Sequence, residues 1–410
     1  MAQLFPFCAV YPDPAAAARV AAPPYDVVNR AEAARLAAGN PLSFLRVSRA
    51  ELELPADTNP YAPAVYERAA ANLAHLQATA PLRQDPSPAL YVYALTRGRH
   101  RQAGIAAAFA VDDYDRDVIK KHERTRQDKE DDRLRHIEAT RCHSGPALLA
   151  FRDEPAIAAA VGATTAAAPL LSVTAPDGVR HDVWRVPVAV TATLVDAFAR
   201  LDALYIADGH HRAKSASRAR AARQAANPAH RGDEAYNRFL AVAFPASELR
   251  ILGYHRLLRD LNGLTPSAFL AAVQARFTVD DAPQPTPAAP GEFHLYLGGR
   301  WLRLRPRSPL PAWADPTARL DVSVLQELLL APVLAIADPR TSPRLDFAGG
   351  EQGVARLREA VDRGEAAAGL VLHPVTIGQL MAIADAGGIM PPKSTWFEPK
   401  LADGLLLHCF

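Results

Sequence analysis

One short block constrains this chain more than any other. An apolar strand-like run at residues 203–206 leads into Ala207-Asp208-Gly209-His210-His211-Arg212, and a helical pattern at 212–225 follows. Glycine at such a junction lets the backbone turn tightly and approach a ligand, while the N–H groups of a helix's first turn attract an anion. Arg212 adds a planar, permanently charged fork for phosphate oxygens, and two imidazoles can donate hydrogen bonds or move protons. These features read as a phosphate cradle. The same residues also fit a plainer role, with Asp208 capping the helix and the histidines packing or facing solvent. A divalent metal on Asp208 and the histidines is a third reading, without an HxxxH-type pair to complete it.

The 410 residues suggest two or three domains, and 49% hydrophobic with 22% charged residues excludes wholesale disorder or a fibre. Forty-six Lys+Arg against forty-four Asp+Glu leave +2, so no polyanion is required and nucleic acid is not an expected partner. Cys8, Cys142 and Cys409 are distant in sequence and odd in number, which argues against a disulfide framework and for a reducing compartment. The start, MAQLFPFCAVYPDP, lacks the basic leader of a signal peptide, and no apolar run reaches a membrane-spanning length. A cytoplasmic protein without a membrane partner is expected; no oligomeric state follows from the sequence.

Apolar residues at helical spacing predict helices at 30–38 and 66–77, with strand-like 42–47 between them after the Asn40-Pro41 stop. Residues 89–95 and 103–111 read as a hairpin, and 120–141 as a polar helix anchored by Leu134 and Ile137. A buried strand is expected at 145–151, and a hairpin around Pro176-Asp177-Gly178. Proline-rich 281–291 marks a boundary; hairpin 293–304 and helix 322–330 follow it.

Two further blocks can carry chemistry. In Lys121-His122-Glu123-Arg124-Thr125, Glu123 is a candidate general base, and Lys121 with the later Lys129 and Arg133 can neutralise phosphate charge. The competing reading is a salt-bridged helix surface. In residues 390–400, Ser394 and Thr395 can donate to an anion, and Lys393 and Lys400 supply positive charge; Trp396 and Phe397 equally suit a structural tail. Pro23-Pro24-Tyr25-Asp26 can line a pocket or form a turn, and Arg46 is either a substrate contact or a surface residue. No GxxxxGK[ST], strand-linked GxGxxG or GxSxG motif is present, which removes the P-loop, dinucleotide and α/β-hydrolase classes as first choices.

Together the blocks PPYDVV (23–28), KHERT (121–125), YIADGHHR (205–212), LDVSVLQEL (320–328) and MPPKSTWFEPKL (390–401) resemble a bacterial and archaeal family of unknown function, over nearly the whole chain. The ADGHHR block is also similar to the phosphate-binding turn of the ParB/sulfiredoxin-like superfamily, which includes free-serine kinases. That likeness implies that Asp208, Gly209, His210, His211 and Arg212 hold a nucleotide or its transferred phosphate, with Mg²⁺ on Asp208. It implies an upstream glutamate as base, a role Glu123 would fill, with His122 and Lys121 beside it. Family members are often encoded beside phosphoglycerate dehydrogenase and phosphoserine aminotransferase, which implies serine and O-phosphoserine as the small-molecule pair.

The expectation is therefore an α+β enzyme: an N-terminal α/β region at 1–164, a ParB/sulfiredoxin-like core at 165–280, and a C-terminal α/β segment at 292–410 closing the site. The expected activity is a free L-serine kinase using ATP or ADP, with Mg²⁺. Lys121, His122, Glu123, His210 and Arg212 are the catalytic candidates; Asp208, Gly209, His211, Arg212, Lys393, Ser394, Thr395 and Lys400 bind phosphate or nucleotide; Tyr25, Asp26, Arg46 and Thr125 contact substrate. The alternatives are an O-phosphoserine phosphatase, which needs the same cradle, and a nucleotide-binding regulatory switch without small-molecule chemistry.

Overall fold

The computed structural model describes residues 2–79, 81–308 and 315–410. It has the expected mixed α+β architecture, divided into two compact units. The first comprises residues 1–121, 125–249 and 399–410; the second comprises 122–124 and 250–398. No helix among the described residues is long and apolar enough to cross a membrane.

A nine-stranded sheet organises the first unit among the described residues: β1 (Leu4–Phe5), β2 (Tyr91–Arg97), β3 (His100–Ala110), β4 (Ile119–Lys120), β5 (Ala147–Phe151), β6 (Leu171–Thr174), β7 (Arg180–Arg185), β8 (Leu204–Asp208) and β9 (Arg238–Pro245). Their order is β4-β8-β5-β9-β3-β2-β7-β6, with β1 added against β3. The β4–β8 and β5–β9 pairs are parallel and the others antiparallel. Strands β3 and β5 are almost wholly buried, as continuous apolar runs require when both faces are covered. The hairpins expected at 89–111 and around 176–178 are β2–β3 and β6–β7.

Three helices of this unit pack together: α1 (Pro63–Ala78), α2 (Gln127–Thr140) and α3 (His210–Ala226), with α2 lying against both of the others. Helix α2 starts later than the polar pattern suggests, because Ile119 and Lys120 pair with Leu204 and Tyr205 as strand β4. Its buried face is Asp132, His136, Ile137 and Thr140, while Leu134 is only partly covered. The stretch expected as a strand at 42–47 ends instead in the short helix Leu45–Ser48, whose Leu45, Val47 and Ser48 turn inward beside Phe44. Apolar residues at 42, 44, 45 and 47 suit either period, and packing decides.

The second unit carries a six-stranded antiparallel sheet: β10 (Tyr254–Leu258), β11 (Phe277–Asp281), β12 (Phe293–Leu297), β13 (Arg300–Pro306), β14 (Leu345–Gly349) and β15 (Ala368–Leu372), in the order β11-β13-β12-β15-β10-β14. Helix α4 (Asp321–Leu325) continues as one widened π turn, Gln326–Leu330, rather than as a single α-helix.

The expected boundaries differ from these units for a topological reason. Strand β9 lies between β3 and β5, so a division at 164/165 would cut one hydrogen-bonded sheet. Proline-rich 281–291 is a connection within the second unit, between two strands that both pair into its sheet. The cysteine reading is also corrected: Cys142 and Cys409 form a disulfide. Their 267-position separation hid the pairing, which arises because His408–Cys409 returns as a strand against Cys142–His143.

A bond closing so long a loop restricts the unfolded chain and stabilises a fold typically by about 2–4 kcal/mol. Cys409→Ser should lower unfolding stability by about that amount in urea titration, and dithiothreitol should lower the parent protein equally. An unchanged midpoint in both would show that the bridge does not contribute.

Candidate functional site

The strand-turn-helix junction forms as its residues dictate. The β8–β5 register shifts between Ile206 and Asp208, a bulge of the kind that re-aims a side chain. Gly209 follows at φ +91°, and a Cβ there would approach the Ala147 backbone to 3.2 Å. Both facts demand glycine. Helix α3 then starts at His210, so its first-turn N–H groups face the strand end without intrahelical acceptors.

Arg212 is drawn inward and only 10% of its side chain is exposed. Nη1 donates to the Pro146 carbonyl at 2.9 Å, and Nη2 to Asp26 Oδ1 at 3.3 Å. Asp208 Oδ2 lies 3.9 Å from Nη1, while Asp208 Oδ1 accepts from Lys400 Nζ at 3.0 Å. Nε is buried without a hydrogen-bond partner among the described residues. Burial opposes the charge, but Asp26, Asp403 and Asp208 outweigh it and raise the pKa, so Arg212 stays ionised.

Beside it sits a second buried guanidinium. Arg133 pairs with Asp132 at 2.9 Å and stacks 3.9 Å over the Tyr25 ring, which also faces Arg212 at 5.6 Å. Burial and Asp26 push the Tyr25 phenol above its ordinary range. Tyr66 donates to Asp132 at 3.1 Å. Imidazole Nε2 of His136 faces the Val47 carbonyl at 3.1 Å; a carbonyl only accepts, so Nε2 carries the proton and Nδ1 is an acceptor. Burial holds His136 neutral, with its pKa lowered to about 4.

Asp403 was not recognised from sequence. It is 2% exposed, and burial raises its carboxyl to about 7, against the lowering influence of Arg212 and Arg133. The Tyr25 backbone N–H donates to it, but Oδ1 has no partner among the described residues. Gly145 leaves room for that oxygen, which a Cβ would strike.

Two cavities share the Tyr25, Arg133 and His136 wall. The smaller, about 30 Å³, is also lined by Arg212, Asp403, Ser144 and Gly145. The larger, about 540 Å³, is bounded additionally by Tyr61, Tyr66, Lys129, Asp132 and Ser48, whose buried hydroxyl lacks a partner among the described residues. Its size falls within the ordinary range of small-molecule pockets.

The first unit thus brings together Tyr25, Asp26, Asp208, Gly209, Arg212 and Lys400. His211 Nε2 accepts from the Arg126 backbone at 3.0 Å, and burial lowers its pKa, so that nitrogen is committed to the loop entering α2. His210 is buried. Thr125 donates to Glu130, and Lys121 pairs with Asp117 at 3.0 Å while lying 4.6 Å over Tyr114. Arg46, expected as a substrate contact, donates to the Asn40 and Ala37 carbonyls and to Glu53, tying down a local turn. His122, Glu123, Lys393, Ser394 and Thr395 belong to the second unit. There the His122 carbonyl accepts from Met390, Ser394 donates to the Pro391 carbonyl at 2.6 Å, and Lys393 lies 5.5 Å over Tyr254.

Asp132, Arg133 and His136 carried a readable signal: polar residues at i and i+4 on a helix, beside an apolar anchor, mark a buried polar face. Asp403 had none, lying in an apolar C-terminal run. Because its folded pKa exceeds its unfolded value, the fold binds more protons between about pH 4 and pH 7, and this group's contribution to stability falls as pH rises through that window. Asp403→Asn should remove that contribution. Relative to the parent, the variant's urea midpoint should be higher at pH 8 than at pH 4.5; a pH-independent difference would place the titration elsewhere.

Solved structures that resemble the chain include free serine kinase in complex with AMP, at 15% identity and TM-score 0.35, covering 71% of this chain and 86% of that one. SbnI from Staphylococcus aureus, with a C-terminal truncation, matches at 11% identity and TM-score 0.39, covering 73% and 85%. A conserved hypothetical protein from Pyrococcus furiosus matches at 13% and 0.34, covering 73% and 93%. No curated protein matches the sequence. Residues 4–323, most of the chain, match the family model described as protein of unknown function (DUF1015), and the chain belongs to that family.

Proposed function

We propose that this chain is a small-molecule phosphotransferase, a free L-serine kinase-like enzyme that uses ATP or ADP. The observation that carries this reading is the seating of Arg212. A buried, permanently charged fork lies in the first turn of a glycine-opened helix, with Asp26 and Asp208 beside it and a cavity of about 540 Å³ across Tyr25. The similarity of residues 207–212 to the ParB/sulfiredoxin-like phosphate turn supports the same chemistry.

Phosphoryl transfer asks a protein for positive charge and alignment more than for covalent chemistry. In this reading the first-turn amides of α3 and Arg212 hold the transferring group. The serine hydroxyl oxygen forms the new O–P bond, the bridging O–P bond to the nucleotide breaks, and the hydroxyl proton passes to a carboxylate. Glu123 of the KHERT block and Asp403 are the two candidates for that proton. Mg²⁺ sites commonly use one or two carboxylates plus substrate phosphates. Asp208 and Asp26, both within 4 Å of the Arg212 guanidinium, fit such a set; bound there, the ion would neutralise charge on the transferring oxygens.

Purified protein should convert serine and ATP or ADP to phosphoserine in the presence of Mg²⁺. Release of phosphate from O-phosphoserine alone would assign the phosphatase direction instead. Nucleotide binding with no turnover in either assay would favour a regulatory switch. Arg212→Ala should lower turnover about 10²–10³-fold with the fold retained, as loss of one charge-stabilising donor does. Either Glu123→Gln or Asp403→Asn should depress kcat more than substrate affinity, and the one that does so is the proton acceptor.

A further inference from the structure

The second unit holds an arginine without the partner its burial calls for. Arg256, on β10, is 2% exposed. Its Nη1 donates to the carbonyls of Tyr254 and Lys393 at 2.8 and 3.0 Å, and the guanidinium lies 4.8 Å over the Phe347 ring. Nε and Nη2 have no acceptor, and no carboxylate pairs with it, among the described residues. Burial lowers its pKa to about 10, opposed only by the Tyr254 phenol. Arg133 and Arg212 are buried with carboxylates at hand. A buried cation without an anion is unfavourable unless something else supplies the charge.

Arg256 walls a cavity of about 390 Å³, together with Ser323, Gln326, Pro391 and Pro392. Gln326 opens the π turn and donates through Nε2 to the carbonyls of Ile336 and Ala337; its Oε1 is buried without a partner among the described residues. π turns recur where a helix wall is adapted to a ligand. The wall also carries Arg340, paired with Asp338 at 3.1 Å, and the exposed carboxylate of Glu327, which forms no ion pair with Arg256 among the described residues. The cavity therefore offers a guanidinium edge without a protein acceptor and an amide oxygen without a partner among the described residues. Its walls also come from the 320–328 and 390–401 blocks.

We propose that this cavity binds a small organic oxyanion, a carboxylate or phosphate monoester that also carries an O–H or N–H donor, with Arg256 taking the oxyanion and Gln326 the donor. The site lies wholly within the second unit and stands independently of the phosphotransferase reading.

The test is thermal unfolding of the full chain titrated separately with inorganic phosphate and with L-lactate, in the parent, Arg212→Ala, Arg256→Met and Arg256→Lys. At least one probe at millimolar concentration should raise the midpoint by several degrees in the parent and in Arg212→Ala, since a ligand bound only to the fold stabilises it. The responding probe identifies the oxyanion. Arg256→Met should lose the rise. Should that variant fail to fold, Arg256→Lys should still respond, with affinity reduced at least tenfold, because an ammonium cannot reproduce the planar fork. No rise in the parent with either probe, an equal rise in Arg256→Met, undiminished affinity in Arg256→Lys, or loss of the rise in Arg212→Ala would overturn the proposal.

Discussion

A guanidinium removed from water needs charge and acceptors within the protein, and in the first unit that need organises the site. Arg212 and Arg133 are both buried, and their surroundings are drawn from distant parts of the chain: Asp26 from the first 30 residues, Asp132 from α2, Asp208 from the end of β8 and Asp403 from the C-terminal segment. Breaking one such partnership leaves an uncompensated charge, which costs more than the pair itself contributes. The site and the stability of this unit are therefore coupled.

The two units treat their buried arginines oppositely. In the first, carboxylates and a tyrosine ring surround the cations, and Asp26 and Asp208 lie within 4 Å of the Arg212 guanidinium. In the second, Arg256 meets only backbone carbonyls and a phenyl ring among the described residues. An already balanced charge can select its ligand; an unbalanced one can be completed by it.

Local chemistry in the sequence located the strand-turn-helix junction and most of the elements around it. Gly209 between an apolar strand and an arginine-bearing helix left few conformations open, and that junction forms as read. What sequence did not disclose came from tertiary return. Asp403 gains its role only because Ala22 pairs with its backbone and Tyr25 donates to it, and Cys409 reaches Cys142 only through a strand of two residues. The charge of Arg46 suggested a ligand, while the carbonyls it binds are set by a local turn invisible as pattern.

The route of the chain has a consequence for biosynthesis. Lys400, Asp403 and the strand His408–Cys409 complete the first unit, yet they are translated after the whole of residues 250–398. With roughly 5–20 residues added each second, the ribosome spends on the order of ten seconds or more on that stretch. During this interval Arg133 and Arg212 are without the Asp403 carboxyl, and the core positions of Leu405, Leu406 and Leu407 are unfilled.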